Sequence, residues 1–440
     1  MNPNVKTCLF IMTFVSLAMC ATAQSLNTVV SFDGTHGASP QADLAASGSM
    51  VYGTTYSGGS SNAGTIFSVN AIGNSFSNIY NFTGGSDGRG PQAGVVVSGN
   101  TLYGTTELGG SGNGTVFGVN TNGGGFTNIY TFIGGNDGAD PEAGLVLKSN
   151  TLFGTAYFGG RFGDGSVFRV NTNGGAFTNL YSFSGGTNGA YPAAGLVLSG
   201  NTLYGTTYDG GSGYGTVFKV NIDGSSFSNV YSFTDSGDGA NPEADMVLAG
   251  NTLYGTTSGG EEGGNGTVFS VNTNGGNFRS ARFGYGNGAN PQAGLLILGN
   301  TLYGTAVNGG NSGWGVVFDV NTNLSSISAL YSFTDGIDGA APEGGLVMEG
   351  TALYGTTQAD NNAGASGTVF ALNVPGLLPT LSIALQGGNH VALTWNNGSF
   401  ALQSAPSLTG TFTNVANASS PWTNAITGAQ QFFRLILPGN

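Results

Sequence analysis

Along most of the chain, short apolar runs of β type alternate with polar turn segments, four runs to a unit. In one unit the runs are Gly94–Ser98, Thr101–Glu107, Gly114–Asn120 and Phe126–Phe132. Gly99-Asn100 separates the first two, a tight-turn pair, and Thr121–Gly125 separates the third from the fourth. The third run, as in Thr115-Val116-Phe117-Gly118-Val119, is apolar or small in both phases of the alternation. A strand of that kind belongs in a sheet covered on both faces. The glycine that follows the aromatic of the second run, Gly104 in this unit, is expected to let neighbouring backbones approach closely.

The unit recurs. The phrase Thr-Leu-Tyr-Gly-Thr-Thr places an aromatic before a glycine at Tyr52, Tyr103, Phe153, Tyr204, Tyr254, Tyr303 and Tyr354, in steps of 49 to 51 residues. A period of that length fits the blade of a propeller better than a solenoid coil. The phase of the repeat carries more. Asn27-Thr28-Val29-Val30-Ser31-Phe32 matches a fourth run, as in Asn229-Val230-Tyr231-Ser232-Phe233, while the seventh unit stops after its third run, Gly367–Asn373. One orphan run at the start and one vacancy at the end predict an all-β, seven-bladed β-propeller over residues 24–373, closed by its N-terminal strand.

The repeat stops near Val374. Pro375, Gly376 and Pro379 mark a linker over 374–380. Leu381–Leu385, His390–Trp395, Phe400–Ser404, Thr411–Val415 and Gln431–Leu437 then predict a small, sandwich-like all-β domain over 381–440. With about 60 residues its core is marginal, and it is expected to lean on the propeller.

The phrases Leu-Tyr-Gly-Thr-Thr, the Gly-Gly after it and Gly-Thr-Val-Phe resemble the GloVer-type (Gloeo/Verruco) tandem repeats of secreted bacterial proteins. That resemblance covers about 350 residues, implies no catalytic activity and transfers no site residues. The four-run unit with Gly-Gly resembles kelch propellers more loosely. Phe400-Ala401-Leu402-Gln403-Ser404 and Phe432-Phe433-Arg434-Leu435 resemble a C-terminal module common on secreted bacterial proteins. The last residues, Leu437-Pro438-Gly439-Asn440, read as neither a sortase motif nor a hydrophobic anchor.

Residues 1–23 read as a signal peptide: Lys6, an apolar stretch from Cys8 to Cys20 too short to span a bilayer, then Ala21-Thr22-Ala23 as the cleavage site. Both cysteines lie inside it, so the mature chain has no disulfide, thiolate metal site or cysteine nucleophile. No other segment predicts a membrane span. A secreted, extracellular or cell-surface location is expected, and a monomer.

Charged residues are only 7% of the chain. Strand parity puts the blade-to-blade loop and the loop between second and third runs on one face, and all but three of the 22 acids (Asp223, Asp319 and Glu349) fall on that side. Loss of Lys6 with the leader takes the formal charge from −13 to −14. Such a face repels phosphate backbones, so no nucleic-acid partner is expected.

The blade-to-blade loop repeats as Asp-Gly-Ala-x-Pro-x-Ala-Gly. Asp137, Asp140, Asp235, Asp238 and Asp338, with Glu142, are candidate calcium ligands. The competing reading is that Asp-Gly makes a turn and the carboxylate caps a backbone N–H. It is favoured, because Asn188, Asn287 and His36 occupy the same position and keep the turn while losing the charge. The other long loop holds varied residues in a constant frame. Its candidate binding residues are Tyr157, Tyr208, Asp209, Tyr214, Glu261, Glu262 and Trp314, suited to stacking on sugars or anchoring a protein. Packing over a channel mouth is the alternative. Arg279 and Arg282, on a fourth run one residue short, read as edge protection.

With His36 and His390 as the sole imidazoles, no Ser-His-Asp triad or histidine cluster forms. No catalytic residue is assigned and no cofactor is expected apart from calcium. The reading is a non-catalytic binding or scaffold propeller that recognises a carbohydrate or surface-protein partner through its acidic long-loop face. The alternatives are a polysaccharide-active enzyme using carboxylates such as Asp209, Glu261 or Glu262, and a purely structural surface protein.

Overall fold

The computed structural model describes residues 24–71, 75–260, 264–359, 366–374, 377, 381–386, 390–395, 401–407, 410–416, 418–420, 422–425 and 431–436. Residues 1–23, expected to be a leader, and most of 374–380, expected to be a linker, lie outside them. Among the described residues no helix is long and apolar enough to cross a membrane, which says nothing of strands.

The fold is all-β and propeller-like. Among the described residues, seven four-stranded antiparallel sheets follow one another, and two three-stranded sheets come last. Sheet 1 is built from Ala45–Ser47, Met50–Thr55, Thr65–Asn70 and Phe76–Asn81; sheets 2 to 6 repeat the order over 96–131, 146–182, 197–232, 247–282 and 296–332. Sheet 7 takes Val347–Glu349, Ala352–Thr357 and Thr368–Asn373 from one end of the repeat and Ser25–Ser31 from the other. Thr368–Asn373 pairs antiparallel with Ser25–Ser31, from Ser25 opposite Asn373 to Ser31 opposite Thr368.

The third strands are buried on both faces, as their apolar composition requires. Between sheets the dominant contact is a phenylalanine pair. The residue just after each fourth strand meets, edge to face, the third-strand ring of the following sheet: Phe82 on Phe117, Phe233 on Phe269 and their equivalents, with centroids 4.9–5.2 Å apart. Each such pair is worth roughly 0.5–1.5 kcal/mol beyond burial. Phe32, just after Ser25–Ser31, makes the same contact on Phe67 of sheet 1. Second-strand threonines add a stitch to the following sheet. Thr54 Oγ1 donates to the Ala93 carbonyl (2.9 Å), and Thr356 of sheet 7 donates to Ala42 (3.4 Å), ahead of sheet 1. Thr206 Oγ1 is buried at the equivalent place without a partner.

The strand glycines after the aromatic do a different job from the one expected. A Cβ on Gly104 would lie 2.6 Å from the Phe117 ring, and one on Gly205 would lie 2.6 Å from the Phe218 ring. The nearest occupant of the space is the phenylalanine of the adjacent strand, the same ring that forms the inter-sheet pair.

Sheet 5 shows what the missing residue does. In the other six sheets the pairing of third and fourth strands carries a register shift, as between Val217 and Phe218. In sheet 5 the ladder from Thr267–Arg282 to Ser270–Arg279 runs without one. One residue fewer removes the bulge.

The last two sheets, Leu381–Gln386, His390–Trp395 and Trp422–Ala425, then Thr413–Asn414, Ala401–Ala405 and Phe432–Ile436, share a small core of Val391, Leu393, Trp395 and Leu402. Trp422–Ala425 is a strand that the alternation did not mark. Leu377 is buried among Leu353, Phe370 and Leu372 of sheet 7, and Leu435 packs against the same cluster. The small unit leans on the repeat through Leu435, and the segment ahead of it through Leu377.

Candidate functional site

The blade-to-blade loop ends in a fixed frame, proline, a variable residue, a small residue, then Gly or Asp. Ahead of the prolines the backbone enters the left-handed region, with φ of 53° at Ser39, 54° at Asp140 and 60° at Tyr191. A glycine of the preceding sheet lets this turn dock: a Cβ on Gly215 would lie 2.5 Å from Pro242 Cδ, and one on Gly367 would lie 2.6 Å from Pro40 Cδ. The residue after each proline then lines one funnel of about 580 Å³, to which all seven sheets contribute. Those residues are Gln41, Gln92, Glu142, Ala193, Glu243, Gln292 and Glu343. Tyr157 and Tyr208, which follow the second strands of sheets 3 and 4, complete the wall. No Lys, Arg or His lines the funnel among the described residues.

The carboxylates are held in a poorly solvated field. Burial pushes Glu142 up to about 7, helped by the negative charges of Glu107, Asp140 and Glu243. Burial and Glu243 push Glu343 up to about 7. Glu243 is raised by burial while a hydrogen bond from Ser258 Oγ (2.5 Å) opposes the shift. Tyr157 rises to about 12 through burial, with Glu142, Tyr208 and Glu243 adding. Its ring stacks on Tyr191 (5.3 Å, 23°) and meets Phe158 edge-on at 4.7 Å.

Deeper in the funnel, two sheets carry aspartate where five carry glycine. Asp43 Oδ1 accepts from the Gly345 amide and Asp245 Oδ1 from the Gly195 amide, both at 2.5 Å. A methyl group placed on Gly294 would touch both side chains, Asp43 Oδ2 at 2.8 Å and Asp245 Cβ at 3.2 Å. Burial raises both acids, and Asp43 raises Asp245 further.

The model of the Gloeobacter/Verrucomicrobia repeat matches residues 13–214 and 197–370. The chain belongs to this repeat family. Among solved structures it is similar to the extracellular domain of a one-component system from B. thetaiotaomicron, at 10% identity and a TM-score of 0.55, over 89% of this chain and 48% of that one. A second neighbour is an oligogalacturonate lyase from Vibrio parahaemolyticus, at 11% identity and a TM-score of 0.47, over 80% of this chain and 97% of that one. A search of curated proteins returned no match. At these identities the likeness concerns the fold alone.

Within this Gloeobacter/Verrucomicrobia repeat, the loop aspartates act as local pins. Asp238 is 7% exposed; it accepts from Tyr231 Oη (2.9 Å), Thr234 N (2.9 Å) and Ser236 N (3.1 Å). Asp338 repeats the pattern with Tyr331, Thr334 and Gly336. Asp137 takes Tyr130 Oη and Ile133 N on Oδ2, while its Oδ1 is buried without a partner. Asp140 sits in the left-handed turn beside Glu107, and Asp235 in another, at φ 57°. No three His, Cys, Asp or Glu of the described residues come together to hold a metal.

Of the candidate binding residues, Tyr157 and Tyr208 line the funnel. Asp209 stands beside Tyr208, its carboxylate accepting from Gly210 N. Tyr214 and Trp314 are exposed on the loops between second and third strands, where their carbonyls accept from Asn241 N and Ala341 N of the next entry turn. Glu261 and Glu262 lie outside the described residues. His36 is a turn residue, its Nδ1 2.9 Å from Asp33 Oδ2. The funnel's Gln41, Gln92, Glu243, Gln292, Glu343, Asp43 and Asp245 were not singled out from sequence. For the first five the signal was the variable position after each proline; Asp43 and Asp245 stand two residues beyond it, where the other copies have glycine.

Proposed function

We propose that the seven sheets close into a ring, a seven-bladed propeller over residues 24–373, and that the chain is a secreted, non-catalytic binding protein that takes a carbohydrate in its acidic funnel. One observation carries the reading: seven equivalent loop positions, constant in frame and variable in side chain, converge on one cavity that also holds two tyrosines. Tyrosine rings stack on the apolar faces of sugars, and glutamine and glutamate supply the convergent polar groups that orient hydroxyls. The leader expected over 1–23 and the low charge support the location.

The paired Asp43 and Asp245 are the observation that favours an enzyme, since glycoside hydrolysis uses two carboxylates on either side of a bond. Their oxygens already serve glycine amides, which suits a plug better than a reacting pair. The test is a glycan array probed with residues 24–440 and with Tyr157→Ala. Retention of a glycan by the parent, lost in the variant, supports the reading. An array on which the parent retains nothing overturns it, and release of reducing ends from a retained glycan moves the protein to the enzymes.

A further inference from the structure

We infer that the funnel contains an ammonium subsite at Ala193, between Tyr157 and Tyr208, and that its oligosaccharide is an oligomer of glucosamine. The inference deepens the binding role proposed above and rests on it.

Six of the seven residues after the prolines carry a glutamine or glutamate side chain; the seventh, Ala193, carries a methyl. The wall is therefore notched at sheet 4. Tyr157 from sheet 3 and Tyr208 from sheet 4, the two aromatic side chains that line the funnel among the described residues, both meet Tyr191, two residues before Ala193: Tyr157 stacks on its ring and Tyr208 N donates to its carbonyl. Tyr157 is held in place by its stack on Tyr191 and its edge contact with Phe158. The positions on either side belong to Glu142 and Glu243, and both lie close enough to act electrostatically on the Tyr157 phenol.

A gap beside two tyrosines and flanked by two glutamates, with no Lys, Arg or His lining the cavity among the described residues, has the chemistry that receives an alkylammonium. The ring quadrupoles attract the cation, and the carboxylates accept its hydrogen bonds. A flat tyrosine stack beside the gap suits the apolar face of a pyranose. Gln41, Gln92 and Gln292 elsewhere on the wall offer paired donors and acceptors for hydroxyls. An amino sugar carries all three complements on one residue; its N-acetyl form loses the charge, and a neutral glucan never had it.

The experiment is calorimetric titration of residues 24–440 with glucosamine hexamer, N-acetylglucosamine hexamer, cellohexaose and an oligolysine, on the parent and on Ala193→Gln, Ala193→Ser and Tyr208→Ala. The glucosamine oligomer is expected to bind about tenfold or more tighter than the other three. Ala193→Gln, which fills the notch, is expected to weaken it by about tenfold, as is Tyr208→Ala, while Ala193→Ser retains it. Should Ala193→Gln unfold, the pair Ala193→Ser and Tyr208→Ala decides by the same thresholds. Equal binding of cellohexaose overturns the ammonium subsite and leaves the carbohydrate role standing. Failure of all three sugars overturns the glucosamine oligomer as occupant, and the carbohydrate role then stands or falls with the glycan array. Oligolysine binding as tightly as the glucosamine oligomer overturns the sugar and makes the occupant a basic peptide.

Discussion

Single side chains decide how well each repeat is finished. Where Thr83, Thr234 and Thr334 stand, a hydroxyl reaches the loop aspartate; at the same place in sheet 2, Ile133 is 75% exposed and Asp137 Oδ1 is left buried without a partner. Ile133→Thr is therefore expected to stabilise the protein by about 1 kcal/mol, read as a rise of about 2 °C in the thermal midpoint. The glycines separate into two kinds. Gly205 keeps space for Phe218, so Gly205→Ala is expected to cost roughly 1–3 kcal/mol by overpacking. Gly200 has open space around its Cβ but a φ of +59°, so Gly200→Ala should cost about 1 kcal/mol and Gly200→Asn less, in denaturant titrations run side by side. From sequence the turn glycine was legible in its Gly-Asn pair, whereas the strand glycine was read as a place of backbone approach, because space cleared for a ring leaves no local pattern.

At the scale of strands, the four-run units and the phase of the repeat were legible because period and turn chemistry agree in every copy. The runs named in the second unit match Val96–Ser98, Thr101–Thr106, Thr115–Asn120 and Thr127–Thr131 to within two residues. Trp422–Ala425 was missed, since four residues, Trp-Thr-Asn-Ala, are too few to show an alternation. The funnel was missed for another reason. Glu243 and Gln292 are ordinary polar loop residues until the turn ahead of the proline aims them at one point, and nothing local in the sequence records a convergence of seven loops. The strand Ser25–Ser31 supports a direct test. A chain beginning at Asp33 leaves Thr368–Asn373 without its partner, and an unpaired edge invites association. That chain is expected to run as oligomers in size-exclusion chromatography, and a peptide of residues 24–33 added in trans should restore the monomer by supplying the strand.

Across the whole molecule, the acidity of the funnel predicts how stability follows pH. Glu142 and Glu343 are pushed from the ordinary value near 4.5 up to about 7, so between those values the folded chain keeps protons that the unfolded chain has released. Their contribution is complete below pH 4.5 and is lost as pH rises through 7. The thermal midpoint is expected to fall between pH 5 and pH 7.5, and Glu142→Gln with Glu343→Gln should flatten that slope in calorimetry. Asp33 and Asp223, both lowered by local hydrogen bonds, act in the opposite sense but only in more acid solution.

The pairing of Ser25 with Asn373 has one more consequence, for a protein that is pulled. The first strand of the repeat begins beside the point where the last strand hands over to the C-terminal unit, so a load between the two ends enters the seam at one corner. Antiparallel strands loaded at the same corner part like a zipper, one rung at a time, whereas strands loaded at opposite corners resist with all their rungs together. Held by its ends, the molecule would yield first at that seam, and the six sheets behind it would feel the tension only after it had opened.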